Sequence, residues 1–185
     1  MIRVVQKPTP HRTVHRIPRP ALACVLHVIE GSLAAADSWF ANDASKVSAH
    51  FGIGRDGRLH QYVSIHSVAY HAGRVLRPTW PMLTRNEISG NPNLVTIGIE
   101  HEGTGKEPWT EAMWLTSTML SAWLSHRFDW PLVADRWPLH REIYAGKTCP
   151  GPAFTTAHRA EYVERVRAVR AVFGASVPSL VTGLR

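Results

Sequence analysis

The chain has 185 residues, enough for one domain with a sizeable core, and no apolar run approaches the roughly 20 residues that span a bilayer. Lys and Arg number 21 against 14 Asp and Glu, and the net charge of +7 favours anionic partners: nucleic acid, phospholipid headgroups or acidic cell-wall polymer. The arginines are scattered without a nucleic-acid motif, which argues against nucleic acid, and two distant cysteines, Cys24 and Cys149, make no disulfide framework.

The first twenty residues carry Arg3, Lys7, Arg12, Arg16 and Arg19, no acid, and Pro8, Pro10, Pro18 and Pro20. They predict an extended basic arm, residues 1–20, ahead of a domain at 21–175. Ala21 to Ile29 is apolar and β-branched, as a buried strand is. A basic lead, a short apolar run and then Ala34-Ala35-Ala36 also have the look of a secretory signal. Gly31-Ser32 ends the run, and Ser32 can cap a helix whose apolar face is Leu33, Ala36 and Phe40.

Two β-prone runs, Val47 to Ile53 and Arg58 to Val63, flank Asp56-Gly57, a hairpin signal. Arg74 to Pro92 reads as a long loop, and Leu94 to Glu102 as a further strand. Thr110 caps a helix ending near Phe128, with Ala112, Leu115, Met119 and Trp123 as its apolar face. A proline-broken loop with His140 and Cys149 leads to a last helix from Thr156 to about Phe173, and a frayed tail occupies 176–185. The expected fold is α/β: a single domain with a mixed central β-sheet flanked by α-helices.

Chemistry concentrates in GKTCPGPAF, Gly146 to Phe154. Lys147 lies two residues before Cys149, and an ammonium beside a thiol favours thiolate, which is a nucleophile or a metal ligand. His140 is nine residues upstream, and His27 closes the first predicted strand. Catalytic zinc takes three protein ligands and leaves a fourth position for water. On spacing alone, His27, His140 and Cys149 fit that pattern weakly, since histidines in a loop are more often solvated or hydrogen-bonded than metal-bound. Glu100, between Ile97, Ile99 and their neighbours, is a carboxylate in apolar company, which suits a general base. Glu102 is its rival, and a strand-edge glutamate facing water is the plainer alternative for either. His50 reads as an interior, hydrogen-bonded histidine; His60, His66, His101, His126 and His158 read as surface residues. Cys24 reads as a small apolar core residue.

Four pieces, SKVSAHFGIGRDGRLHQYVS, AYHAG, NLVTIGIEHEG and HREIYAGKTCPGPAF, resemble in the same order the zinc-dependent N-acetylmuramoyl-L-alanine amidases of type 2. That family includes phage amidase lysozymes, bacterial recycling amidases and peptidoglycan recognition proteins. The resemblance runs from about Leu22 to Phe154. It implies Zn2+ held by His27, His140 and Cys149, with Lys147 catalytic. The family uses either a tyrosine before the hairpin-strand histidine or a later glutamate; Ala49 fills the first position and Glu100 the second, so Glu100 is the implied base. His71, in AYHAG, matches a histidine lining the substrate groove. His27 then belongs to the working enzyme, and no cleavable signal is expected.

The implied reaction is hydrolysis of the amide between N-acetylmuramic acid and L-alanine of the peptidoglycan stem peptide. The expected setting is a phage endolysin, made in the host cytoplasm and acting on the wall or periplasm after the membrane opens. The basic arm and last helix would meet an anionic wall or outer-membrane surface, and the protein would be a monomer. Trp80 and Trp109 are groove candidates whose plainer role is packing. The competing readings are a cytoplasmic recycling amidase for soluble (anhydro)muropeptides, a non-catalytic peptidoglycan-binding protein, and a metal-free Cys149–His140 thiol hydrolase.

Overall fold

The computed structural model describes residues 1–14 and 20–184. In chain order the strands and helices are β1 (Ile2–Gln6), β2 (Arg12–Thr13), β3 (Ala23–Val28), α1 (Leu33–Ala41), β4 (Phe51–Ile53), β5 (Leu59–Gln61), β6 (Val68–Ala69), α2 (Pro81–Thr84), β7 (Thr96–His101), α3 (Glu111–Arg127), α4 (His140–Ile143), α5 (Thr156–Phe173) and β8 (Val181–Thr182). Six strands form one mixed sheet in the order β3-β7-β4-β5-β1-β8; β2 and β6 pair separately. Only β4 and β5 run antiparallel within the large sheet, joined by the turn that Asp56-Gly57 announces. The α/β expectation holds. No helix among the described residues is long and apolar enough to cross a membrane.

Side-chain alternation gives the sheet two unlike faces. Cys24 and Leu26 of β3, and Ile97 and Ile99 of β7, point into the larger core, which α3 and α5 cover with Met113, Leu120, Tyr162 and Val166. Cys24 is the buried apolar residue expected of it. Ala23 and Val25 point the other way, into a smaller cluster with Trp80 and Ile143. α1 covers the rest of that second face through Ala36 and Phe40. His27 and Glu100 share the parity of Val25 and Gly98, and so emerge on the face covered by short helices and loops.

Helix α1 starts where Ser32 caps it, its hydroxyl accepting the Ala35 N–H at 3.1 Å. Such a cap stabilises a helix by about 1 kcal/mol. α5 spans the expected residues, with Thr155 as its N-cap. α3 has the expected cap, Thr110, and buries Met119 of its expected face with Trp123 half-buried, but its burial extends to other residues and leaves Leu115 out. Leu115 is 55% exposed, while Met113, Ser117, Leu120, Ser121 and Leu124 are buried. The Ser117 and Ser121 hydroxyls meet the Tyr162 hydroxyl at 2.7 and 2.6 Å, so a serine stripe sits satisfied where a hydrophobicity pattern looks for leucines.

Four other expectations are corrected. The basic arm is not an arm: β1 lies in the main sheet, paired with β5 and β8, because Val4 is an apolar residue that the sheet buries. Its residues 15–19 lie outside the described region. The tail is not frayed: Val177, Leu180 and Val181 are buried, and β8 closes the sheet edge. The 74–92 loop contains α2 and a fully buried Trp80, whose indole N–H donates to the Asp135 carbonyl at 2.8 Å. Finally, His60 and His101 are interior, not surface; His60 pairs with Asp37 at 2.8 Å. Trp109 packs rather than lining a groove, stacked on His101 with ring centres 3.8 Å apart.

Candidate metal centre

Three segments converge where β3 ends. His27 is the next-to-last residue of β3, in register with Glu100 on β7. The segment before α4 runs alongside β3, with Leu26 and Leu139 bridged and the Leu26 N–H donating to the Pro138 carbonyl at 3.0 Å. That places His140, the first residue of α4, beside His27: the rings are 4.5 Å apart and their Nδ1 atoms 3.1 Å apart. The third segment carries Cys149, whose Sγ lies 3.7 Å from His27 Nδ1 and accepts the Val28 N–H at 3.2 Å. One ligand atom from each of His27, His140 and Cys149 lies within 4.8 Å of the others, so the group can hold a metal ion.

Neighbours that no sequence pattern singles out keep these segments in place. Arg141, next to His140, donates to the carbonyls of Gly151 and Phe154 at 3.0 and 2.7 Å, clamping the turn after Cys149. At that turn Gly151 has φ +97, and a side chain there would collide with the Gly105 backbone. Glu142 accepts the Leu139 N–H at 2.9 Å and pairs with Arg159 of α5, tying α4 to the helical layer. His101 reaches the His27 carbonyl at 2.9 Å with one ring nitrogen and Ser117 with the other. The only signal available beforehand was that Arg141 and Glu142 lie inside the quoted HREIYAGKTCPGPAF piece.

Burial dominates the electrostatics. It drives His27 well below the ordinary histidine range, helped by His140, His71, His101 and Lys147. It lowers His140 to about 4, with Lys147 adding to the effect. Neutral imidazoles are the form that binds metals. Burial also pushes the Cys149 thiol up, Glu100 adds to that, and Lys147 only weakly opposes it. Lys147 draws the thiol towards thiolate as expected, but burial outweighs it and favours the protonated thiol, which argues against a metal-free thiol nucleophile.

Glu100 is the second unusual group. Burial, then the charge of Glu30, raises it to about 8 against the pull of Lys147. Its Oε1 is 4.0 Å from His27 Nδ1, and its buried Oε2 has no hydrogen-bond partner among the described residues. The rival Glu102 is occupied: its Oε2 accepts the Arg55 N–H at 2.7 Å and secures the hairpin turn. A cleft of about 490 Å³ opens over the three ligand residues, lined also by Glu30, Trp39, Tyr70, His71, Glu100 and Lys147. Lys147 is exposed at its mouth, whereas His71 lies deeper, with its Nδ1 3.1 Å from His27 Nε2. All six expected site residues are thus at one place.

A family model described as N-acetylmuramoyl-L-alanine amidase matches residues 18–152. N-acetylmuramoyl-L-alanine amidase A of Achromobacter lyticus is 30% identical over 139 residues, covering 74% of this chain and 62% of its own length. The 1,6-anhydro-N-acetylmuramyl-L-alanine amidase AmpD of Salmonella typhimurium is 34% identical over 115 residues, covering 59% of this chain and 53% of its own. The chain thus spans between half and two thirds of the length of these relatives. A crystal structure of an AmpD derivative superposes with a TM-score of 0.67 at 29% identity, covering 91% of this chain and 93% of that one. With the family match extending over most of the chain, and its fold shared with a solved relative, this protein belongs to the N-acetylmuramoyl-L-alanine amidase family.

Proposed function

We propose that the chain is a zinc-dependent amidase that hydrolyses the bond between N-acetylmuramic acid and L-alanine in bacterial peptidoglycan. The observation that carries this reading is Glu100: a buried carboxylate with a free oxygen, 4.0 Å from a histidine of a three-ligand cluster, on the wall of an open cleft.

The ligand atoms suit zinc. On a tetrahedral zinc with bonds of about 2.0–2.1 Å to nitrogen and about 2.3 Å to sulfur, two nitrogens lie about 3.3 Å apart and a nitrogen and a sulfur about 3.6 Å. The spacings here are 3.1 and 3.7 Å. Two neutral imidazoles and a thiol that would release its proton on binding form a zinc donor set of three protein ligands, which leaves one position for water. Zinc bound there would acidify that water and polarise the substrate carbonyl.

The chain's own residues supply the rest. Glu100 takes the water proton as the oxygen attacks the carbonyl carbon, and returns it to the alanine nitrogen as the C–N bond breaks. Burial, which raises Glu100, helps its carboxyl hold the proton it delivers to the departing amine. Lys147, at the cleft mouth, offers its ammonium to the oxygen that turns negative in the tetrahedral intermediate.

Lysis of a host wall by a phage enzyme is the setting we favour, with the net charge of +7 drawing the protein to anionic wall polymer. The last helix contributes less than its composition suggests: Arg159, Arg165 and Arg167 are already paired with Glu142, Glu111, Glu161 and Glu164. The likeness to AmpD favours a second reading, in which soluble anhydromuropeptides are the substrate. Mass spectrometry of products from purified sacculi and from soluble anhydromuropeptide tests both. Stem peptides beginning at L-alanine, lost with a chelator and restored by zinc, support the amidase, and the better substrate chooses the setting. Release of peptide that is indifferent to chelation overturns the zinc reading.

A further inference from the structure

His71 has a place in the metal centre's construction that its position in the cleft does not explain. Beneath it, β7 presents Thr96 and Gly98 on the same face as Glu100, in register with Ala23 and Val25 of β3. Gly98 leaves bare backbone, and the imidazole of His71 fills the space: a Cβ at Gly98 would lie 2.6 Å from His71 Cγ. The backbone is held as well, because Asn93 Oδ1 accepts the N–H groups of His71 and Ala72 at 3.2 and 2.7 Å. The ring therefore has one seat.

From that seat a hydrogen-bond chain reaches His27, and one end of it is fixed. The Thr96 hydroxyl donates to the Pro92 carbonyl at 2.8 Å, and a carbonyl only accepts. Towards His71 Nε2, 3.3 Å away, Thr96 Oγ1 is left with a lone pair, so Nε2 carries the hydrogen. In a neutral imidazole the other nitrogen then accepts. His71 Nδ1 accordingly takes the hydrogen of His27 Nε2 at 3.1 Å. That leaves His27 Nδ1 bare, and Nδ1 is the atom facing His140 and Cys149.

We propose that His71, backed by Thr96, is a positioning residue that fixes His27 in the tautomer and orientation whose Nδ1 can bind the metal. Partners behind a ligating histidine commonly change metal affinity without touching the metal. The inference rests on the zinc reading of the His27, His140 and Cys149 cluster.

The test uses the full chain, stripped of metal, with the zinc dissociation constant measured by competition against a chromogenic chelator. Thr96 is fully buried, so its substitution leaves the cleft lining intact. His71→Phe and Thr96→Val are expected to weaken zinc about 10- to 100-fold, and Thr96→Ser to restore it to within about two-fold of the parent. Nitrogen-15 spectra of the metal-free imidazoles give an independent readout, with His27 and His71 both protonated at Nε2 in the parent. Unchanged zinc affinity in His71→Phe and Thr96→Val, with a raised KM at saturating zinc, would make His71 a groove residue and overturn the proposal. A parent that binds no zinc sinks the metal reading instead; the spectra then still decide, and a His27 hydrogen at Nδ1 overturns the inference. If His71→Phe does not fold, the Thr96 pair gives the answer.

Discussion

The two faces of the sheet are built on opposite rules. On the helical face, β3 and β7 contribute Cys24, Leu26, Ile97 and Ile99, and the long helices α3 and α5 bury them. Its hydroxyls and His101 are paired within the layer, as in the His101–Ser117–Tyr162–Ser121 chain, and of its indoles Trp130 donates to the Ala21 carbonyl while the Trp137 N–H has no partner among the described residues. On the other face the same strands contribute His27, Thr96, Gly98 and Glu100, covered by short helices and loops. Here a carboxylate oxygen is left without a partner and histidines stand ring to ring. Stability is invested in one face and chemistry in the other, and a one-residue alternation along two strands separates them.

That division is open to direct attack, beginning with the largest effect. Cys149→Ser on the loop face should abolish amidase activity while the fold survives. Adding zinc to stripped protein should raise the thermal midpoint of the parent and leave that of the variant unmoved, because a ligand stabilises only the state that binds it. Glu100→Gln should retain zinc affinity and lose kcat by about 10²- to 10⁴-fold, the usual worth of a positioned acid–base group.

The third effect is on stability. His50 is buried, accepting the Gly98 N–H at 3.0 Å and facing the Ser67 carbonyl at 3.1 Å, and burial lowers it to about 4. An unfolded histidine titrates near 6.5, so below that pH the unfolded chain takes up a proton that the folded one refuses. The stability His50 allows is complete above about pH 6.5 and should fall by about 1.4 kcal/mol per pH unit towards pH 4. Urea midpoints at several pH values should show a shallower slope for His50→Gln than for the parent.

The remaining two predictions concern the helical face. Tyr162→Phe removes the hydroxyl that joins Ser117 to Ser121, and calorimetry should show a loss of about 1–3 kcal/mol with kcat unchanged at permissive temperature. Leu115→Ala, at an exposed position on α3, should alter stability by no more than about 0.5 kcal/mol. A large loss at Leu115 would show that the helix buries the Ala112, Leu115 and Trp123 side rather than the one described.

What was legible beforehand follows from how local each signal is. Thr110 caps α3 within its own turn and the helical pattern of α5 is local, so both were expected near their actual limits, and Asp56-Gly57 announced the hairpin, although its strands are shorter than expected, Phe51–Ile53 and Leu59–Gln61. His140, Cys149, Glu100 and Lys147 were legible because each sits inside a quoted piece whose order matches a family, and His27 because it closes the first apolar run. The buried phase of α3 was not, since Ser117 and Ser121 bury through a partner, Tyr162, far along the chain. β1 and β8 were hidden for the same reason: each pairs with residues that nothing nearby announces. Arg141 and His101 act through backbone carbonyls, a role that leaves no mark in residue spacing.

The pairing of β1 with β8 joins Ile2 to Val181 and Arg3 to Thr182 across almost the full length of the chain. During synthesis β1 emerges long before β8, and its outer edge has no partner until β8 is made. Until then a growing chain carries an open strand edge, the sort of template on which neighbouring chains assemble. Proteolysis that removes β8 would recreate that state in finished protein, leaving the cleft intact and the molecule prone to stick to its own kind. Clipped product should therefore first be lost to self-association, and only afterwards to any failure of the chemistry on the opposite side of the sheet.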